Sequence, residues 1–101
     1  MTIDLKFEWD EAKRLSNLVK HDVNFSDVGL AFIDPDRISY PGRRDGRGEE
    51  RNVVLGLVRH RIIHVVFTMR GDTIRLISAR SAHAKERSLY ETGKHRKSAV
   101  H

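Results

Sequence analysis

The chain has 101 residues, which is enough for one small domain with a modest core and too few for two independent domains. Lys and Arg number 19 against 14 Asp and Glu, and the net charge of +5 favours a polyanionic partner such as nucleic acid over a hydrophobic one. Cys is absent, which excludes disulfides and thiolate zinc sites, and no apolar run could cross a bilayer or act as a secretory signal, so we expect a soluble, cytoplasmic protein.

The N-terminal segment predicts a strand followed directly by a helix. Ile3 to Glu8 alternates apolar and charged residues, the period-two pattern of a strand with one buried face. Asp10 is a suitable N-cap, and Asp22 lies where a helix often ends in a left-handed turn. Between them, the apolar face of an amphipathic helix is formed by Ala12, Leu15, Leu18 and Val19.

A second short helix and a loop come next. The segment 25–27 supplies a staple residue, a cap and a first-turn carboxylate, and predicts a helix over residues 27–32 that Asp34-Pro35 ends. Residues 37–40 are a candidate short strand. Residues 41–51 contain Pro, three Gly and almost no apolar side chain, which predicts a mobile loop.

Three apolar runs then predict three strands, over residues 52–58, 62–68 and 73–79. The short connections between them favour an antiparallel meander, because parallel neighbours need a longer crossover. A last helix is predicted from near Ser81 to Gly93. The fold class is therefore α+β, with the helices mainly on one face of an antiparallel sheet, one domain over residues 1–93, and a basic tail without order over residues 94–101.

Several separated motifs occur along these elements. In chain order they are Phe7-Glu8-Trp9-Asp10, Lys13, Asn17, Lys20-His21-x-Val23, Phe25, the strand from Arg75 to Arg80, Glu86 and Tyr90. Across this span the chain resembles the BrnT family of toxins from type II toxin-antitoxin systems. The chain departs from that pattern at Asp22 and at Arg59-His60-Arg61, where the family commonly has Gly.

The resemblance implies a RelE-like fold, in which two N-terminal helices and a C-terminal helix pack on a small antiparallel sheet. It also implies a metal-independent endoribonuclease that cleaves RNA and arrests translation. The partner that it implies is a BrnA-like antitoxin, a small DNA-binding protein that neutralises the toxin and takes it to operator DNA.

Cleavage of RNA without a metal requires a proton acceptor, a proton donor and a cation that stabilises the phosphorane. Histidine suits the proton transfers, and arginine binds phosphate oxygens through its planar fork. The candidate catalytic residues are therefore His21, Arg75 and Arg80. His21 alternatively caps the end of its helix, and the two arginines alternatively form surface ion pairs. Residues five apart on a regular strand point to opposite faces, so Arg75 and Arg80 meet one phosphate only if the strand bends.

Further residues are candidates for supporting roles. Those that bind RNA in this hypothesis are Lys13, Lys20, Trp9 and Arg70. Lys13 alternatively belongs to an ordinary solvated stripe, and Trp9 to a helix staple packed on the core. Glu86 and Tyr90 are candidates for orienting an arginine or a ribose, with an ion pair and a half-buried core Tyr as the alternatives.

No metal or cofactor site is predicted. His60 and His64 share a strand face but lie ~13 Å apart along it, which is too far for one ion to bridge. Composition alone supports RNA binding and not catalysis. A non-catalytic basic module that assembles with a DNA-binding antitoxin for operon autoregulation is therefore the alternative function.

Overall fold

A computed structural model of the chain describes residues 5–43 and 49–99, with side chains as far as residue 96. Parts of the predicted first strand, the predicted mobile loop and the predicted tail lie outside the described residues. The elements are β1 (Lys6–Glu8), α1 (Glu11–His21), a 3-10 turn (Phe25–Asp27), α2 (Gly29–Ile33), β2 (Ile38–Pro41), β3 (Asn52–Val58), β4 (Arg61–Arg70), β5 (Thr73–Ser81) and α3 (Ala84–Ala99). The predicted α+β class is confirmed.

The five strands form one mixed sheet in the order β1-β5-β4-β3-β2. Strands β2 to β5 are antiparallel, as their short connections predict, but β1 runs parallel to β5, with Lys6 opposite Thr73. The prediction of a wholly antiparallel sheet is therefore wrong at β1. The residues between the end of β1 and the start of β5 form the long connection that a parallel pair of strands requires.

The ends of α1 follow the sequence prediction, but its burial does not. Asp10 caps the helix by accepting a hydrogen bond from Lys13 N at 3.1 Å, and Asp22 ends it in the left-handed region at φ 55°. An amphipathic helix usually buries its apolar face. In α1 the buried residue is Asn17, whereas Leu15 and Val19 are exposed.

One face of the sheet carries α2 and the 3-10 turn. A Cβ at Gly56 of β3 would lie 2.5 Å from the carbonyl oxygen of Ala31, so this close approach of α2 to the sheet requires glycine. The core on this face includes Val23, Phe25, Val28, Val54, Ile63, Val65 and Leu76.

The opposite face carries α3, so the helices do not lie mainly on one face as predicted. A Cβ at Gly93 would lie 3.0 Å from Ile38, and Ile38 is directly opposite Leu55. Because side chains alternate along a strand, Leu55 and Gly56 belong to opposite faces. In the described part of the chain, no helix has both the length and the apolar character needed to cross a membrane.

The bounds of α3 differ from the predicted helix at both ends. Ser81 still belongs to β5, where it is opposite Ile63, and the N–H of Ala82 donates to Ile62 O at 2.9 Å. The helix therefore begins only at Ala84, and it continues beyond Gly93 to Ala99. The division into a domain and a tail at residue 93 stays a prediction.

Two residues with side chains occupy left-handed backbone. Asp22 has φ 55°, and Arg59, in the two-residue turn between β3 and β4, has φ 60°. These are the two non-glycine residues with positive φ in the described ranges. Glycine adopts this conformation without steric cost, whereas Asp22 and Arg59 carry a Cβ that strains the backbone there.

Candidate functional site

A cleft of about 640 Å³ opens on the sheet face that carries α3. It lies between the first turns of α3 and the connection from β2 to β3. Its lining residues are Tyr40, Pro41, Gly42, Arg43, Arg51, Val53, His64, Val66, Arg80 and Glu86. We call it the Arg80 cleft.

Strand register brings the polar groups of the Arg80 cleft together. His64 on β4 is directly opposite Arg80 on β5, so both side chains project from the same face. Tyr40 on β2 is opposite Val53, and Val53 is opposite Val66. Because Val66 is two residues from His64, all of these side chains share that face.

A two-pronged ion pair joins Arg80 to α3. The guanidinium donates to both carboxylate oxygens of Glu86, at 2.8 and 3.0 Å, and Glu86 also accepts from the backbone N–H of His83 at 2.8 Å. The hydrogen bonds from Arg80 lower the pKa of Glu86 to about 2 despite its partial burial. Glu86 is therefore ionised at neutral pH, and it holds the Arg80 fork in one orientation.

His64 is the titratable group beside this ion pair. Burial lowers the pKa of His64, the positive charge of Arg80 lowers it further, and Glu86 opposes both effects. Its Nε2 lies 3.5 Å from Glu86 Oε2, at the limit of a hydrogen bond, and its buried Nδ1 has no partner among the described residues. His64 is therefore mainly neutral at pH 7 and able to accept a proton.

Tyr40 contributes a hydroxyl on the other side of the cleft. Burial raises the pKa of Tyr40, the negative charge of Glu86 raises it further, and Arg80 acts in the opposite direction. The phenol therefore stays protonated at neutral pH. The Arg80 cleft thus combines a proton acceptor, a proton donor and a fixed cation.

The comparison with known families agrees with this chemistry. Residues 9–86 match the family model described as ribonuclease toxin, BrnT, of type II toxin-antitoxin system. The chain belongs to the BrnT family. The matched segment contains His64, Arg80 and Glu86. No match was found among curated proteins.

Membership of the BrnT family has two consequences at the level of the family. Its members are described as ribonuclease toxins, which implies RNA as the substrate. Its members also belong to type II toxin-antitoxin systems, which implies an antitoxin as the partner.

Arg75 lies on the same sheet face as Arg80 but outside the cleft. Ile77 has no residue directly opposite it in β4, and this bulge reverses the alternation along β5. As a result Arg75 is opposite Thr68 and Arg80 is opposite His64, four residues or ~13 Å apart along β4. Arg75 instead pairs with Glu8, with Nη1 to Oε2 at 3.4 Å.

His21 lines a separate groove between α1 and β5. Its lining residues are Lys13, Ser16, Asn17, Lys20, His21, Ile77 and Ser78, and we call it the α1 groove. Ser78 is directly opposite Val66 of the Arg80 cleft, so the two depressions lie side by side across β5. The structure therefore does not bring His21, Arg75 and Arg80 into one cleft.

The remaining predicted residues lie away from the cleft, except for Glu86. Trp9 packs on Phe25, with ring centroids 6.3 Å apart, which agrees with the helix-staple alternative. Arg70 ends β4 and pairs with Glu49 at 3.5 Å. Tyr90 is buried and donates to Asp34 Oδ2 at 2.7 Å, which joins α3 to the residue that ends α2.

The sequence pattern does not identify two residues of this cleft as members of the site. From the sequence, His64 is considered only as a metal ligand together with His60, and Tyr40 is placed only in a short strand. The two-residue connection Gly71-Asp72 predicts the hairpin of β4 and β5, but its register alone would place Ile63 opposite Arg80, and the bulge at Ile77 brings His64 to that position instead.

Proposed function

We propose that this BrnT-family chain is a metal-independent endoribonuclease that cleaves RNA in the Arg80 cleft and thereby arrests translation. The observation that carries the proposal is the position of His64 directly opposite Arg80, on the sheet face that carries α3 and within the segment that matches the ribonuclease family. We further propose that the sheet and helices have a RelE-like arrangement.

In this mechanism His64 accepts the proton of a ribose 2′-OH. The 2′-oxygen then forms a bond to phosphorus, and the bond from phosphorus to the 5′-oxygen breaks. Tyr40 donates a proton to the departing 5′-oxygen, so the products are a 2′,3′-cyclic phosphate and a 5′-hydroxyl. His64 rather than His21 is the proposed base, because it shares the cleft with Arg80.

Arg80 stabilises the charge that develops on the phosphorane oxygens. Glu86 and the carbonyl of Ser81 take three of the five N–H donors of its guanidinium, which leaves donors for a phosphate. The fork is preorganised because Glu86 fixes its orientation before the substrate binds. Glu86 thus acts in this proposal as a positioning residue.

Basic residues around the cleft are proposed to hold the rest of the RNA. The α1 groove offers Lys13, Lys20 and His21 beside the cleft, across β5. Arg75 lies farther along the same sheet face and is suited to a neighbouring phosphate rather than the reacting one. Arg70, at the end of β4, extends this surface.

The proposed partner is a BrnA-like antitoxin that neutralises the chain and binds operator DNA. A second candidate function is a non-catalytic module that acts only through this complex. The observation in its favour is the Arg80–Glu86 ion pair, because an arginine already paired with a carboxylate is also typical of a purely structural joint between β5 and α3.

Single substitutions distinguish the two candidates. The purified chain and its variants His64→Gln, Arg80→Lys and His60→Gln are incubated with RNA in the presence of EDTA, and their thermal unfolding is compared. His60 lies in the exposed β3–β4 turn and is the matched control. We expect His64→Gln and Arg80→Lys to slow cleavage by about 10²-fold or more, and His60→Gln to cleave as the unmodified chain does.

The possible outcomes distinguish the proposed ribonuclease from the non-catalytic module. Cleavage that persists in folded His64→Gln and Arg80→Lys variants contradicts the proposed site. Cleavage that requires an added metal ion contradicts metal independence. A chain that leaves RNA intact but binds its antitoxin supports the non-catalytic module.

A further inference from the structure

The outward side of α1 is apolar, which is the reverse of the usual burial of an amphipathic helix. Ala12, Leu15 and Val19 lie three and four residues apart and therefore form one stripe along the helix. Val19 is 86% exposed and Leu15 is 50% exposed, while Asn17 on the inner side is buried. We call these three residues the outer stripe of α1.

The inward orientation of α1 is fixed by specific hydrogen bonds. The Asn17 carboxamide bonds to both backbone groups of Ala79, and Asp10 and Asp22 define the two ends of the helix. The helix cannot rotate to bury Leu15 and Val19 without breaking the bonds of Asn17. The exposed outer stripe is therefore a stable feature of the folded chain.

Positive charge borders the outer stripe on one side. At 100° per residue, Lys13 and Lys20 lie almost in line with each other, about 100° around the helix from Val19. On the other side, Glu11 is already paired with Arg14. The surface thus presents an apolar strip with a basic edge, which is complementary to an amphipathic helix with acidic residues along one edge.

We propose that the outer stripe of α1 binds an acidic amphipathic helix of the antitoxin. The choice of occupant rests on charge and on membership of a type II toxin-antitoxin family, and not on catalysis in the Arg80 cleft. A second copy of this chain is disfavoured, because each copy carries a net charge of +5 and two such chains repel each other. A bound acidic helix would also border the α1 groove beside the proposed RNA route.

The test measures the affinity of the purified full chain for its cognate antitoxin. Leu15→Gln and Val19→Gln remove apolar surface from the stripe. Leu89→Gln is the matched control, because Leu89 on α3 is 49% exposed. We expect Kd to rise by about tenfold or more for each stripe variant and to change less than about twofold for the control.

The contribution of charge is tested with the double variant Lys13→Glu and Lys20→Glu. It should weaken antitoxin binding and reduce the salt dependence of Kd. Unchanged affinity in the folded stripe variants overturns the proposal. So does a dimer of the unmodified chain that becomes a monomer in Val19→Gln while the antitoxin affinity stays the same.

The proposal and the proposed ribonuclease activity fail independently. Without antitoxin, Val19→Gln should cleave RNA as fast as the unmodified chain, because Val19 lies outside both the Arg80 cleft and the α1 groove. If the chain leaves RNA intact, the ribonuclease proposal fails, and the antitoxin measurement remains decisive for the outer stripe.

Discussion

The side chain of Asn17 pairs with the backbone of Ala79 as a neighbouring strand would. Its Oδ1 accepts from Ala79 N at 3.0 Å, and its Nδ2 donates to Ala79 O at 2.8 Å and to Val23 O at 3.0 Å. Strand β1 pairs with β5 only as far as Arg75. Asn17 therefore satisfies the backbone edge of β5 at Ala79 and fixes the rotation of α1.

Replacing Asn17 should destabilise the fold strongly. In Asn17→Ala the backbone groups of Ala79 lose their partner in a buried site, and we expect the free energy of unfolding to fall by about 2–4 kcal/mol. Ser16→Ala, on the exposed surface of the same helix, is the control and should change it by less than about 0.5 kcal/mol. Urea denaturation monitored by circular dichroism measures the free energy of unfolding of both variants. Equal stability of Asn17→Ala and Ser16→Ala would contradict the role of Asn17 as the partner of the Ala79 backbone.

Gly56 should tolerate no side chain. In Gly56→Ala the new Cβ would lie 2.5 Å from Ala31 O, so α2 must move away from β3, and we expect a loss of about 3 kcal/mol or more. Gly71→Ala is the control for backbone strain, because Gly71 has φ 62° and an added methyl group there would meet no atom within 4 Å. In denaturant unfolding, the free energy of unfolding of Gly56→Ala should be clearly lower than that of Gly71→Ala. The opposite order would refute the packing argument.

The Arg80–Glu86 ion pair should make stability depend on acid pH. The pKa of Glu86 is lowered from 4.5 to about 2 in the folded chain, so its contribution is complete above about pH 4.5 and is lost as the pH falls towards 2. We expect Glu86→Gln to cost roughly 2–3 kcal/mol at pH 7, with the difference shrinking as the pH falls through this window.

The control for this prediction is Glu91→Gln, on the exposed side of α3. It should unfold like the unmodified chain at every pH. The melting temperatures of the unmodified chain, Glu86→Gln and Glu91→Gln are measured from pH 7 to pH 2. A constant difference between the unmodified chain and Glu86→Gln across this range would show that the carboxylate charge is not the cause.

Introducing glycine at the left-handed end of α1 should stabilise the chain. Asp22 has φ 55°, and its carboxylate also lies at the negative end of the helix dipole. We expect Asp22→Gly to raise the free energy of unfolding by about 1 kcal/mol. Asp22→Asn removes the charge and keeps the side-chain shape, so the two melting curves separate the dipole effect from backbone strain. A loss of stability in Asp22→Gly would refute the prediction.

The elements set by local pattern could be predicted from sequence. Strand β3 has the predicted bounds, and both caps of α1 occur at the predicted residues, because turn residues and caps act within a few positions along the chain. The parallel pairing of β1 with β5 joins residues that are far apart in sequence. No local pattern encodes such a pairing.

The positions of the side chains in the Arg80 cleft and on α1 depend on features that the sequence pattern does not show. The bulge at Ile77 sets which face Arg80 occupies, and with it the position of His64 opposite that arginine. The apolar spacing of α1 predicts an amphipathic helix but not its inner face, because the buried Asn17 takes the core side in place of Leu15 and Val19. Three hydrogen bonds, invisible in the sequence, make that orientation stable.

The pH dependence of RNA cleavage tests the central assignment most directly. Burial and Arg80 lower the pKa of His64 below 6.5, and burial raises the pKa of Tyr40 above 10. With His64 as base and Tyr40 as acid, the single-turnover rate should rise with pH, reach half of its maximum below pH 6.5, and then form a plateau that extends to about pH 10. His60→Gln should keep this profile, and His64→Gln should lose the acid limb together with most of the rate. A folded His64→Gln variant that retains both the rate and the acid limb would contradict the account.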